Sequence, residues 1–241
     1  MNAPEVILAS NSPRRLQFFH LLGIPFHPES ADIDESPAPN EPPVELVTRL
    51  ALAKTLTVAA RHTSGAARPG PVPPHDILVI GADTVVAIEG VLLGKPADAD
   101  EARSMLVRLR ARTHQVHTAL ALALVAGVEL KCKRCILNTT TVKMRDYSDD
   151  EIADYVATED PMDKAGAYAI QHPQFRPVQS LSGCPAGVMG LPVADLLRLL
   201  ADFNLTVKRS PVQICPALTG LQCCQQQAEY THCIRQRRIS R

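Results

Sequence analysis

Residues 76–88, DILVIGADTVVAI, constrain this chain more than any other stretch: an almost unbroken aliphatic run with one carboxylate, Asp83, at its heart. Its length, its β-branched content and the Glu89-Gly90 turn that follows mark a buried β-strand leading into a hairpin. A charged side chain is seldom buried without a partner. Asp83 is therefore either a structural ion pair or strand-end cap, or a functional carboxylate, serving as a magnesium ligand or as a base that orients water.

The surrounding pattern supplies other elements. EVILAS (5–10) is a short strand that runs into SNSPRR (10–15), where Ser12 is placed as an N-cap and Pro13 as the first helical residue, with Gly23 as the stop. Residues 25–43 carry six prolines and are expected to form an irregular edge. A helix is predicted from Val44 to about Arg61, with Val44, Val47, Leu50, Ala51 and Val58 on one face. Residues 64–75, with four prolines and two glycines, are expected to be a flexible surface insertion. Asp98 with Glu101 caps a further helix, and 115–131 and 135–147 are predicted to be antiparallel strands. Ser148 with Glu151 is a capping box, and Pro192 opens a helix through Phe203. Together these predict an α/β domain with a mixed sheet flanked by helices.

Charge divides the chain. The total is 25 basic against 25 acidic residues, which argues against a dedicated nucleic-acid binder. The last stretch, 208–241, holds six basic residues and one acidic, so residues 1–207 carry 19 basic against 24 acidic. Periodicity fails past Lys208, and the expectation is one domain over 1–207 followed by a poorly ordered basic tail holding four of the seven cysteines. The longest apolar stretch, Ala119 to Val128, is about half a bilayer span, so no membrane association is expected. Glu5 stands where a signal peptide would carry a basic residue. A cytoplasmic location is the expectation.

Three features point to phosphate. SNSPRR lies at a strand-to-helix junction, where free backbone N–H groups and the helix dipole favour an anion. Ser10, Ser12, Arg14 and Arg15 add donors suited to phosphate oxygens. Arginines in a helix's first turn oppose the dipole unless an anion is bound. Lys54 lies close to the apolar face of its helix and must either snorkel or meet an anion. Lys95 sits in GVLLGKP, which fails the phosphate-loop pattern because three residues separate its glycines and Pro96 replaces Ser/Thr. No G-x-G-x-x-G occurs either. Cys132 and Cys135 read as a turn between strands, and His114 and His117 as structural residues at a helix-to-strand junction.

ILASNSPRR (7–15), IDE (33–35), RLALAK (49–54), IGADTVV (80–86), LGKP (93–96), THQVHT (113–118) and MDKAGAYAIQ (162–171) resemble, in order and spacing, the Maf proteins, house-cleaning nucleoside triphosphate pyrophosphatases, over about residues 5–203. The resemblance implies a fold of the inosine-triphosphate-pyrophosphatase kind with two lobes and a cleft, a homodimer, and a magnesium or manganese ion held by Glu35 and Asp83. It implies Asp83 as proton acceptor, Glu35, Lys54 and Lys95 as its catalytic companions, and substrate contacts from Ser10, Ser12, Arg14, Arg15, Thr84, Asp163, Lys164 and Gln171. Arg15, Thr84 and Gln171 match the family's base-selecting positions. AGAYAIQ looks like the branch acting on dTTP and UTP; the alternatives are a pyrophosphatase for another modified base such as 7-methyl-GTP, or a nucleotide-binding regulator of septum formation. The chain departs from the pattern at His172-Pro173, at Ala111, and in 179–192, which lacks the usual tyrosine-asparagine pair.

Overall fold

The computed structural model describes residues 3–63, 76–205 and 207–226. The flexible insertion expected at 64–75 lies outside them.

Seven strands form one mixed sheet. β1 (Glu5–Leu8) pairs in parallel with β2 (His27–Pro28) on one side and with β3 (Ile77–Ile88) on the other. β3 turns through Glu89-Gly90 into β4 (Val91–Leu93) and runs antiparallel to β5 (Thr113–Ala126) along almost its whole length. β5, β6 (Glu129–Met144) and β7 (Val178–Ser182) continue the sheet antiparallel, giving the order β2-β1-β3-β5-β6-β7 with β4 beside β3. The expected mixed α/β architecture is present.

One helix covers one face and several cover the other. α2 (Pro43–Thr63) packs on β3 and β5. Beneath it lie Ile77, Val79, Ala119, Ala121 and Ala123 of the strands and Val47, Ala51, Val58 and Ala59 of the helix. Val44, expected on that buried face, is exposed, because it sits in the first turn before the helix meets the sheet. The opposite face holds the larger core. It is covered by α1 (Pro13–Leu22), α3 (Ala99–Leu109), α4 (Asp149–Ala157), the short α5 (Pro185–Val188) and α6 (Val193–Leu200). Each fully buried Leu, Ile or Phe there contributes about 1.5–3 kcal/mol.

Local chemistry sets the ends of these elements. Pro13 opens α1 after Ser12, and Gly23 closes it at φ +70°, a conformation that disfavours a Cβ. Asp98 caps α3 by accepting from the Glu101 N–H, and Ser148 with Glu151 forms a reciprocal capping box on α4.

Two expectations are corrected. The expected disorder beyond Lys208 does not begin there: α7 (Pro211–Thr219) has a Ser210–Gln213 capping box and buries Ile214 and Cys215, while the following 3-10 turn (Cys224–Gln226) buries Cys224 beside Cys223. The thiol of Cys184 on α5 meets that of Cys224, and Cys215 meets Cys223, so the segment completes the main core. Cys132 and Cys135 do not mark a turn but lie inside β6; the reversal is at Gly127, whose φ of +63° suits the turn. His114 and His117 lie within β5, hydrogen-bonded to Tyr168 and Thr139 respectively. No described helix is long and apolar enough to cross a membrane.

Candidate active site

The site arises from a break in sheet pairing. On one side β3 pairs with β1 through Ile80 and with β4 from Val86, so among the described strands residues 81–85 have no partner on that side. β1 ends at Leu8, and after Ala9 donates to the Ile80 carbonyl (2.7 Å) the chain turns into Ser10–Pro13 and helix α1. A crevice beyond the carboxyl end of a parallel strand, where topology changes, is where open α/β sheets bind ligands. Here it is a cleft of about 610 Å³.

Ser10, Ser12, Arg14, Arg15, Glu35, Lys54, Asp83, Thr84, Lys95, Asp163, Lys164 and Gln171 all line this cleft, so every candidate named from the sequence is brought to one place. Five of them are cationic and three are carboxylates. The body of the chain is acidic, and this is its local positive patch.

Consecutive residues of β3 point to opposite faces of the sheet. Asp83 faces α2, and Thr84 faces α1 and α5. Asp83 is buried, and its Oδ1 stands 2.5 Å from Nζ of the equally buried Lys54. Lys54 also reaches Oε1 of the more exposed Glu35, at 2.8 Å. Lys54 thus meets anions and does not snorkel. Burial pushes the Asp83 carboxyl above its ordinary value, and the attraction of Lys54 only partly opposes this. Gly81, two residues back on the same face, lies so close to α2 that a Cβ would collide with Thr55 Oγ1 and stand 3.2 Å from the Ala51 carbonyl.

The other cations divide by partner. Arg14 hydrogen-bonds Asp163 Oδ2 at 2.8 Å and the Asp163 carbonyl at 3.2 Å, and Lys164 reaches Asp163 Oδ1 at 2.6 Å and Asp160 Oδ1 at 2.9 Å. Burial raises the Asp163 carboxyl, but hydrogen bonds from Lys164 and Arg14 outweigh it and hold the group below its ordinary value. Lys95 is exposed and makes no ion pair with a described residue.

Arg15 is buried and has only neutral hydrogen-bond partners. Nε donates to the Gly190 carbonyl (2.9 Å), Nη1 to Ser10 Oγ (3.3 Å) and Nη2 to Thr84 Oγ1 (3.3 Å). Burial lowers its pKa, a pull that Asp83 and Glu35 oppose. Gly190 itself is at φ +100°, and a Cβ there would stand 3.4 Å from both Arg15 Nε and Thr84 Oγ1. Gln171 is exposed at the rim.

Sequence reasoning missed several members of the site. Gly190 acts through a backbone carbonyl, which leaves no side-chain signal. Thr118 bonds Thr84 from β5, and Tyr168 lines the cleft with its hydroxyl 2.7 Å from His114 Nε2. Both lie in segments singled out in the sequence, THQVHT and AGAYAIQ.

Glu35 and Asp83 both reach the Lys54 ammonium and offer hard oxygen donors, the kind magnesium accepts alongside substrate phosphates. No cluster of three or more His, Cys, Asp or Glu among the described residues could hold a metal without such help. The donor chemistry therefore suits an ion that is completed by a phosphorylated ligand.

A crevice at the end of parallel strands, lined by a helix N-terminus, five cations and a buried carboxylate, defines an α/β protein built to hold an anionic ligand. The chain belongs to the Maf family: the family model described as Maf-like protein matches residues 5–203. It is similar to proteins named dTTP/UTP pyrophosphatase from several bacteria. The one from Nitratidesulfovibrio vulgaris is 44% identical over 212 residues, covering 88% of this chain and 93% of its own. The one from Thermomicrobium roseum is 42% identical over 228 residues (94% and 96%), and the one from Methylobacillus flagellatus 39% over 207 (86% and 96%). A match covering 94% of this chain extends past residue 208, into the segment that forms α7.

Proposed function

We propose that this chain is a nucleoside triphosphate pyrophosphatase that hydrolyses dTTP and UTP to the monophosphate and pyrophosphate, and so keeps unwanted, including modified, pyrimidine nucleotides out of nucleic acids. The observation that carries this reading is the convergence of all twelve candidate residues on one cleft around the Lys54–Asp83 pair. The family and the names of the relatives support it.

Ser10, Ser12 and the first N–H groups of α1 receive phosphate oxygens, with Arg14, Lys95 and Lys164 supplying positive charge. Asp83 takes the proton of a water that adds to the α-phosphorus, and the bond to the bridging oxygen breaks to release pyrophosphate. Its raised pKa makes it a stronger base than an exposed carboxylate. Lys54, already beside Asp83, neutralises charge developing on the leaving group. Glu35 and Asp83 would hold a magnesium or manganese ion, which when bound supplies further positive charge to the phosphates. At the other end, Gln171 offers one acceptor and two donors to the O4 and N3–H edge of uracil or thymine. One methyl distinguishes these bases, worth only about 1–3 kcal/mol, so use of both is physically natural. The six described cysteines are all free thiols, which supports a cytoplasmic setting. The homodimer suggested by the resemblance belongs to the same reading.

The test is a panel of triphosphates incubated with the purified protein and magnesium, with pyrophosphate and orthophosphate assayed separately. Pyrophosphate from dTTP or UTP, lost by at least about 10²-fold in Asp83→Asn, is the expected result. Orthophosphate alone would sink the mechanism, and nucleotide binding without turnover would point to a regulator.

A further inference from the structure

Counting protons separates two cations of the cleft that look alike in the sequence. Lys164 is buried, and an ammonium carries three N–H groups and no more. All three have fixed acceptors: Asp163 Oδ1 at 2.6 Å, Asp160 Oδ1 at 2.9 Å and the Asp160 carbonyl. No N–H of Lys164 is left for a phosphate oxygen. Arg14 differs. Its guanidinium has five N–H groups and gives two to Asp163, one to Oδ2 (2.8 Å) and one to the carbonyl (3.2 Å). The other three have no partner among the described residues, and Arg14 stands in the first turn of α1, the end of a helix that favours an anion.

Asp163 joins the two cations. One of its carboxylate oxygens meets Lys164 and the other meets Arg14, so the guanidinium is directed by a group that Lys164 holds. Lys164 is held in turn. The Tyr155 hydroxyl accepts from the Ala169 N–H (3.0 Å), so its single proton goes to Asp160 Oδ2 (2.7 Å) and Oδ1 is left for the ammonium. The Tyr155 ring is itself fixed, stacked on Phe175 with ring centres 4.3 Å apart and met edge-on by His172 at 4.7 Å. Burial raises the Asp160 carboxyl, but bonds from Tyr155 and Lys164 outweigh it and keep the group below its ordinary value, as they do for Asp163 with Lys164 and Arg14. Both carboxylates are charged at neutral pH, and Lys164 touches both.

We propose that Lys164 is a positioning residue that acts on the triphosphate through Asp163 and Arg14, and is not itself a phosphate ligand. This rests on the triphosphate reading above and divides its labour: Arg14 touches the phosphates, and Lys164 aims it. Removing the ammonium leaves the Asp163 charge uncompensated on that side. The bare carboxylate then draws further N–H groups of Arg14 to itself and repels the phosphates.

The experiment measures kcat and KM for UTP and dTTP in the wild type, Lys164→Met, Asp163→Asn, the double variant K164M/D163N and Arg14→Ala, with a thermal melt on each. K164M should raise KM at least about fivefold with kcat changed by less than about twofold, and R14A should raise KM at least as much. In D163N the amide oxygen still accepts from Arg14 but carries no charge for Lys164 to offset. The double variant should therefore have a KM within about twofold of D163N alone, whereas a direct phosphate ligand would lose as much in either background. If K164M does not fold, Lys164→Gln, which keeps two N–H groups without the charge, should show the same pattern with a smaller rise. A folded K164M or K164Q with the wild-type KM, a rise as large with D163N as without it, or a smaller rise in R14A than in K164M overturns the inference. A wild type that releases pyrophosphate from neither UTP nor dTTP overturns the underlying reading instead.

Discussion

Replacing Lys54 by methionine tests the electrostatic heart of the site. The substitution keeps an unbranched chain on the buried face of α2 and removes the ammonium that bridges Asp83 and Glu35. Two unit charges 2.5 Å apart attract by about 7 kcal/mol at an effective dielectric of about 20. The variant does not lose that much, because Asp83 can escape by taking a proton. At pH 7, protonating a carboxyl of ordinary value 3.8 costs about 4 kcal/mol, at about 1.4 kcal/mol per pH unit. The limit lies somewhat lower, since burial already holds Asp83 above 3.8. A loss of about 3 kcal/mol follows, which lowers the melting temperature by about 6–12 °C in a chain of this size. The sign with pH is fixed as well. Asp83 in K54M has a folded-state pKa raised still further, so its contribution is fully present below the unfolded value and is lost as pH rises. The deficit relative to wild type should therefore be largest at pH 7 and shrink towards pH 5. Calorimetry on both proteins at pH 5, 6 and 7 reads it, and adding Asp83→Asn to K54M should recover much of the loss by leaving no buried charge. A K54M protein melting within about 2 °C of wild type at pH 7, or a deficit equal at pH 5 and 7, would refute the reasoning.

Two further predictions concern packing. Gly81→Ala should destabilise by about 1–3 kcal/mol, because its Cβ drives into Thr55 Oγ1, and Thr55→Ala should recover only part of this, since the Ala51 carbonyl remains 3.2 Å away; chemical denaturation of the single and double variants decides. Truncation after Val207 should melt well below truncation after Gln226, by several kcal/mol, because it also removes Ile214, Cys215, Cys223 and Cys224 from the core; equal melts for the two would refute the role given to α7.

The parts of this fold that were legible from sequence are those with a local cause. Residues 76–88 could hardly be anything but a buried strand, the capping residues 98/101 and 148/151 stand where they were read, and the arginines of SNSPRR open α1 at the cleft. What was illegible depends on distant partners. α7 is short, carries Pro216 inside it and buries Ile214, Cys215 and Thr219 in place of a leucine stripe, so periodicity could not reveal it. Residue type marks Arg15 as a phosphate donor and the resemblance marks it as base-selecting; neither shows that its fixed neighbours are a carbonyl and two hydroxyls contributed from three separate segments. Lys54 was known to need an anion or a route to water; only the register of β3 against α2 supplies Asp83.

Asp83 and Thr84 are neighbours in the chain but lie on opposite sides of the sheet, and that arrangement works as a ruler. Under the proposed function, one peptide unit sets the span between the carboxylate assigned to the phosphates and the hydroxyl assigned to the base, so a nucleotide would reach over the open margin of β3 to engage both. The two tasks are in this way mechanically tied but chemically separate. Under the same reading, changes to Thr84 and the 186–190 segment on one side would leave the Lys54–Asp83 pair on the other untouched.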